Sequence, residues 1–87
     1  MEGDENMHEL KAAQALFDTA IKNVPNNAKK VKRINIVTGA LSAITEDHLQ
    51  FHMDELSRGT ILEGAKVKLT VKPISETYIE SIDIEEK

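Results

Sequence analysis

Three adjacent side chains, Met7, His8 and Glu9, combine a thioether, an imidazole and a carboxylate near the beginning of a predicted helix. The first amide groups of a helix have no carbonyl partner within that helix. Imidazole is a preferred ligand of nickel, copper and zinc. The backbone position and the residue types together make these three residues the candidate metal site.

A metal ion at His8 would gain most from a free α-amino group beside it. An amine, a deprotonated backbone amide and an imidazole form the tetragonal nitrogen set that Ni(II) and Cu(II) favour. Six residues, MEGDEN, precede Met7 in this chain and separate the amine from His8. Without that amine, the simpler interpretation of His8 is a solvated side chain.

A second group of candidate ligands follows later in the chain. His48 and His52 are four residues apart, and Glu55 follows three residues after them. On a helix this spacing places all three on one flank, where two imidazoles can bind one metal ion. Because two histidines on a short helix also coincide by chance, the role of this pair stays open.

The sequence has few features of an enzyme. It has no cysteine, no serine flanked by the glycines of a nucleophile elbow and no glycine-rich phosphate loop. The serines have no histidine partner that the sequence identifies; they are Ser42, Ser57, Ser75 and Ser81. We therefore expect a protein that binds a ligand rather than one that catalyses a reaction.

Length and composition restrict the remaining classes. A chain of 87 residues forms one small domain, and without cysteine it has neither a disulfide framework nor a four-cysteine zinc site. A net charge of −4 is unlike that of nucleic-acid-binding proteins, and no apolar segment approaches the ~20 residues of a membrane span. We expect a cytoplasmic protein without zinc that binds neither nucleic acid nor membrane.

The first predicted helix begins after Asn6, a favourable N-cap, with Glu9 three residues later as in a capping box. Residues 1–6 are then a flexible acidic N-terminal extension. The apolar side of this helix is a row of residues three and four apart, namely Leu10, Ala13, Phe17, Ala20, Ile21 and Val24. His8 is predicted on the opposite, solvated side.

A strand and a second helix follow. Residues 31–38 alternate β-branched and polar side chains, which predicts a strand. Thr45 is the predicted N-cap of the second helix, and Arg58 and Gly59 mark its end. Its predicted buried side consists of Leu49, Met53 and Leu56. Phe51 points away from that side.

Two further strands complete the chain, one over residues 66–72 with lysines on its outer face and one from Tyr78 to Ile84. Pro73 ends the earlier strand because proline has no N–H for a ladder. The short link 74–76 predicts an antiparallel hairpin, whereas strands joined through a helix should be parallel. The predicted fold is α+β: a small three-stranded mixed sheet with two helices on one face, in the order α-β-α-β-β.

Three segments resemble the HypA/HybF family, the nickel-insertion accessory proteins of hydrogenase maturation: MHELKAAQALFDTAI, VKRINIVTGALSAITEDHLQF and LSRGTILEGAKVKLTV. The closing TYIESIDIEE resembles the last strand of that family. The resemblance implies a nickel metallochaperone that acts with a hydrogenase maturation GTPase or the hydrogenase large subunit. It assigns nickel to Met7, His8 and Glu9, because in that family the terminal amine, the histidine and neighbouring groups hold the ion.

The chain departs from the family pattern in three places. The family carries a four-cysteine zinc module between its second and third strands, whereas residues 73–76 join these strands directly here. Its usual GELSG is GALSA here, so Ala40 replaces a carboxylate. The segment MEGDEN precedes Met7. We expect residues 7–87 to form a single HypA-like nickel-binding-type α/β domain without the zinc module.

These departures leave several hypotheses open. The amine-dependent nickel site exists if Met7 is the native start or if the first six residues are removed. If those residues stay, Asp4 or Glu5 are the remaining oxygen ligands. Alternatively, the domain is an interaction module that docks on maturation partners through Phe51 and the lysine-rich strand face, without metal. A homodimer through free sheet edges is a third possibility.

Overall fold

A computed structural model describes the backbone of residues 2–87 and the side chains of residues 10–87. The elements along the chain are α1 (Glu2–Asn23), β1 (Ala28–Gly39), α2 (Glu46–Ser57), β2 (Lys66–Lys72) and β3 (Tyr78–Glu86). Two helices and a three-stranded mixed sheet confirm the predicted α+β class and the predicted element order.

The sheet is built around β1, with the strand order β2-β1-β3. The pairing of β1 with β2 is parallel, as predicted for strands joined through a helix. The predicted hairpin between the last two strands is wrong, because β3 pairs antiparallel with β1 instead of β2. After β2, the link formed by residues 73–77 crosses the end of β1. As a result, β3 pairs with the edge of β1 that β2 does not occupy.

Gly39, the last residue of β1, allows this crossing. A Cβ atom at position 39 would overlap the carbonyl oxygen of Ile74, which belongs to the link. The side chains of Thr38 and Thr77 hydrogen-bond through their hydroxyl groups at 2.7 Å beside it. The link between β2 and β3 is therefore fixed against β1.

Both helices pack against the same face of the sheet and form one apolar core with it. The buried side of α1 consists of Ala13, Leu16 and Ala20, with Phe17 and Val24 partly buried beside them. This corrects the predicted row, which omitted Leu16 and included Leu10 and Ile21; these last two are 41% and 37% exposed. The small alanines let α1 approach closely, and the buried side is rotated toward Leu16.

The beginning of α1 also differs from the prediction. The helix begins at Glu2, so Asn6 lies within it and does not cap it. The flexibility of residues 1–6 stays a prediction.

The predicted ends of α2 are confirmed. Thr45 is the N-cap, and its hydroxyl oxygen accepts a hydrogen bond from the His48 backbone N–H at 3.3 Å. The helix ends before Gly59, whose φ of 77° is in the left-handed region. Leu49 and Met53 are buried, as predicted.

Side chains of α2 occupy the outer edge of β2. The Gln50 side chain accepts from the Val67 N–H at 2.7 Å and donates to the Ala65 carbonyl at 3.1 Å. One turn earlier, the Glu46 carboxylate accepts from the Leu69 N–H at 2.8 Å. The spacings match, because four helical residues rise about 6 Å and two strand residues about 6.6 Å.

The other face of the sheet carries mostly polar side chains, as the alternation of lysines predicts, and Val37 is buried among them. Lys66, Lys68 and Lys72 of β2 are exposed there. Ion pairs cross between strands, from Arg33 to Asp83 at 3.8 Å and from Lys72 to Glu80 at 3.5 Å. Within the described residues, neither helix is long and apolar enough to cross a membrane.

The contact between α2 and β2 predicts the effect of Gln50→Ala. This change leaves the Val67 N–H and the Ala65 carbonyl without their partner, so the free energy of unfolding should fall by about 1–3 kcal/mol. Urea unfolding followed by circular dichroism measures it. Gln14 is exposed on α1, and Gln14→Ala, the matched control, should change stability by less than about 0.5 kcal/mol. Equal stability of the two variants would contradict the role of Gln50.

The crossing of the link over β1 predicts the effect of Gly39→Ala. The added methyl group meets backbone rather than a flexible side chain, so we expect destabilisation by about 1–3 kcal/mol, as for overpacking. Thermal unfolding should show a lower midpoint. Ala40→Ser at the next, exposed position is the control and should unfold like the parent chain. A parent-like midpoint for Gly39→Ala would show that the link is not held against β1.

Candidate metal site

The predicted nickel ligands Met7, His8 and Glu9 lie in α1, and their side chains are outside the described residues. The backbone of α1 nevertheless shows whether the amide nitrogens of these residues can act as metal ligands. In a helix that begins at Glu2, the amide of His8 is beyond the first turn, where an N–H donates to the carbonyl four residues earlier. A metal ion could use that amide as a ligand only after the hydrogen bond is broken.

A helix that begins at Met7 has different backbone chemistry at the same residues. The amides of its first turn have no carbonyl partner, and the α-amino group is adjacent to His8. The nitrogen set of amine, amide and imidazole is then available without unwinding the helix. The start of the polypeptide therefore determines which nitrogen donors surround His8.

The predicted pair His48 and His52 lies on α2, one helical turn apart. His48 is exposed and His52 is half-buried. Glu55 is on the same flank, but its carboxylate lies 3.0 Å from the guanidinium of Arg58. The structure thus places the two histidines one turn apart on the same helix and pairs the third predicted residue with a cation.

No three histidine, aspartate or glutamate side chains among residues 10–87 are grouped in a way that could hold a metal ion. The pair on α2 is accordingly a two-ligand arrangement within this part of the chain.

The predicted docking residue Phe51 points away from the core, and 60% of its surface is exposed. Its ring meets the His52 ring edge-on, with centroids 5.5 Å apart. The aromatic side chain therefore lies directly beside the histidine flank of α2.

Sequence reasoning missed an apolar surface where β1 ends and the link crosses. Leu41 is fully exposed there, and Val71 is 60% exposed. An open groove of about 430 Å³ runs between Leu41 and Ile74. A leucine between the predicted first strand and the predicted second helix was the available signal, because connecting turns usually carry polar residues.

A second groove, of about 400 Å³, separates the C-terminal half of α1 from β3. Ile79, Ile82 and Ile84 form its apolar wall, and Pro25 closes one end. Neither groove contains a histidine among its lining residues. The imidazole chemistry of the described residues is confined to α2.

Comparison with known proteins agrees with the resemblance. A family model described as hydrogenase/urease nickel incorporation metallochaperone, hypA, matches residues 7–77. A hydrogenase maturation factor HypA from Methanothermobacter thermautotrophicus is 39% identical over 69 residues, which cover 78% of this chain and 57% of the relative. One from Pyrococcus furiosus is 40% identical over 62 residues, covering 70% of this chain and 45% of the relative.

A relative with lower sequence identity has the same name. The hydrogenase maturation factor HypA of Beijerinckia indica is 31% identical over 68 residues, covering 77% of this chain and 60% of the relative. The chain thus spans about half the length of the curated relatives it matches. The matched region includes the Met7-His8-Glu9 tripeptide, α1 from Met7 onward, α2 and the strands β1 and β2. The chain belongs to the HypA family of nickel-incorporation metallochaperones.

Proposed function

We propose that this protein binds nickel as cargo and supplies it during hydrogenase maturation. The single observation that carries the proposal is the family match over residues 7–77, which includes the tripeptide with the predicted nickel ligands. Met7, His8 and Glu9 are the proposed ligands, and His8 supplies the imidazole. This function requires binding and release of an ion rather than catalysis.

The proposed site depends on an α-amino group next to His8. Ni(II) favours tetragonal nitrogen ligands, and the amine and first amides of a helix that begins at Met7 supply them. A chain with six further residues presents carboxylates in place of the amine, from Asp4 or Glu5. A flexible carboxylate is a poorer ligand for this ion, so the longer chain should bind nickel more weakly.

We propose that the domain functions without zinc. It has no cysteine, and β2 and β3 are joined by a link of only residues 73–77. This link packs over Gly39 and ties Thr77 to Thr38. The sheet therefore closes without the module that the resemblance implies at this junction in the family.

The proposed partners are a hydrogenase maturation GTPase or the hydrogenase large subunit, in the cytoplasm. The exposed ring of Phe51 and the lysines of the outer sheet face are suited to a partner surface with an apolar pocket and acidic groups. Phe51 adjoins His52, so a partner bound there would lie close to the imidazoles of α2.

For the oligomeric state, we propose a monomer instead of the possible homodimer. The outer edge of β2 already binds the side chains of Glu46 and Gln50. At the other edge, β3 has four acidic residues and no basic one; they are Glu80, Asp83, Glu85 and Glu86. Ion pairs with Lys29, Arg33 and Lys72 offset part of this charge, but antiparallel pairing of two β3 strands would still place carboxylates of both strands next to one another, which is destabilising.

Light scattering tests the proposed monomer. In low-salt buffer the expected mass is that of one chain, 9.7 kDa. A mass of twice that value would contradict the monomer.

Nickel calorimetry tests the proposed function. A chain that begins at Met7, with His48→Ala and His52→Ala to remove the imidazoles of α2, should bind one Ni(II) with micromolar affinity, about −8 kcal/mol. The full chain should bind much more weakly at this site, because it lacks the amine beside His8. His8→Ala in the shorter chain should remove this binding, since the imidazole is lost.

The control for this experiment is Asn26→Ala, a substitution of an exposed residue in the turn after α1. It should leave nickel binding unchanged. Equal affinity of the two chain lengths, or full affinity in His8→Ala, would contradict the amine-dependent site.

A further inference from the structure

We propose that His48 and His52 form a second metal-binding site, separate from Met7, His8 and Glu9. The site binds a divalent late transition ion, such as Cu(II) or Ni(II), through one nitrogen of each imidazole. It extends the proposed function, because it uses other residues and does not depend on the polypeptide start.

The spacing of the two histidines suits chelation. Side chains four residues apart on a helix have Cβ atoms about 5–6 Å apart on one face. Imidazole nitrogens bind such ions at about 2.0–2.1 Å, so two rings that converge on one point can share an ion. Zinc proteases use two histidines at this spacing on a helix for the same purpose.

The backbone beneath the pair is already fixed. Leu49 and Met53 directly follow the two histidines, and both are buried in the core. Thr45 caps the beginning of the helix, and Gln50 bonds to β2. Binding therefore requires reorientation of two side chains but no folding of the helix, which reduces the entropic penalty.

The two histidines also lie on a defined side of α2. Gln50 and Glu46 lie on the side of α2 that faces β2. At about 100° per residue, His48 and His52 lie across the buried side from them, on the flank next to α1, against which α2 packs. His48 is exposed and His52 half-buried, so an ion can approach from solvent through His48.

Glu55 is next to this flank, but its carboxylate is held by Arg58 at 3.0 Å. The two imidazoles are the proposed protein ligands, and water fills the other positions. An ion with open positions exchanges readily and accepts a donor from another molecule. These properties suit an ion that is passed on rather than retained.

The test uses the full chain with His8→Ala, so that any uptake is independent of the first proposed site. Titration calorimetry with CuCl2 and with NiCl2 at pH 8 should show one ion bound per chain. Adding His48→Ala or His52→Ala should weaken binding by roughly 10- to 100-fold, because one of two linked ligands is lost. Circular dichroism verifies that each variant remains folded.

Two matched variants separate chelation from histidine content. Asp47→His with His48→Ala keeps two histidines but sets them about 140° apart on the helix, and it should bind as weakly as His48→Ala. Glu55→His with His48→Ala restores a pair, three residues apart, and should recover most of the affinity.

Thermal unfolding gives a second readout, because an ion that binds only the folded helix raises the unfolding midpoint. That rise should be present in the His8→Ala chain and absent once His48 or His52 is replaced. No ion uptake by the His8→Ala chain, or unchanged affinity in the Asp47→His and His48→Ala double variant, would overturn the second site. The proposed nickel function is tested separately, by His8→Ala in the chain that begins at Met7.

Discussion

The fold depends on the central position of β1. This strand pairs with β2 along one edge and with β3 along the other, and Ile34 and Ile36 project from it into the core. A sheet needs about three strands with a covered apolar face to be stable by itself, and within residues 2–87 both outer strands pair with β1 and with no other strand. The link after β2 must therefore cross the end of β1, and Gly39 leaves the space for it.

The second constraint is the attachment of α2 to β2. An edge strand presents unpaired N–H groups, and Glu46 and Gln50 satisfy those of Leu69 and Val67. These bonds fix the rotation of α2 about its own axis. With Leu49 and Met53 buried, the rotation of about 100° per residue places His48 and His52 across the buried side from Gln50 and Glu46. The histidine positions are thus a consequence of how the sheet edge is covered.

The two proposed metal sites differ in what creates them. At His8 the nitrogen donors come from the backbone. An α-amino group is present only where the polypeptide begins, and unpaired amides only where a helix begins. At His48 and His52 the donors are side chains on a capped helix, so they are independent of the polypeptide start. One site is consequently sensitive to processing of the chain, and the other to the stability of α2.

The sequence by itself determined the type and order of the elements, the ends of α2 and the parallel pairing of β1 with β2. These features depend on residues close in the chain, such as Thr45 as a cap and Gly59 as a stop. It also identified the family and the spacing of His48 and His52. Only the tertiary structure decided that β3 pairs with β1, that Leu16 belongs to the core and that Gln50 binds the edge of β2. Each of these involves residues distant in the chain, and local periodicity contains no information about which distant surface an element will meet.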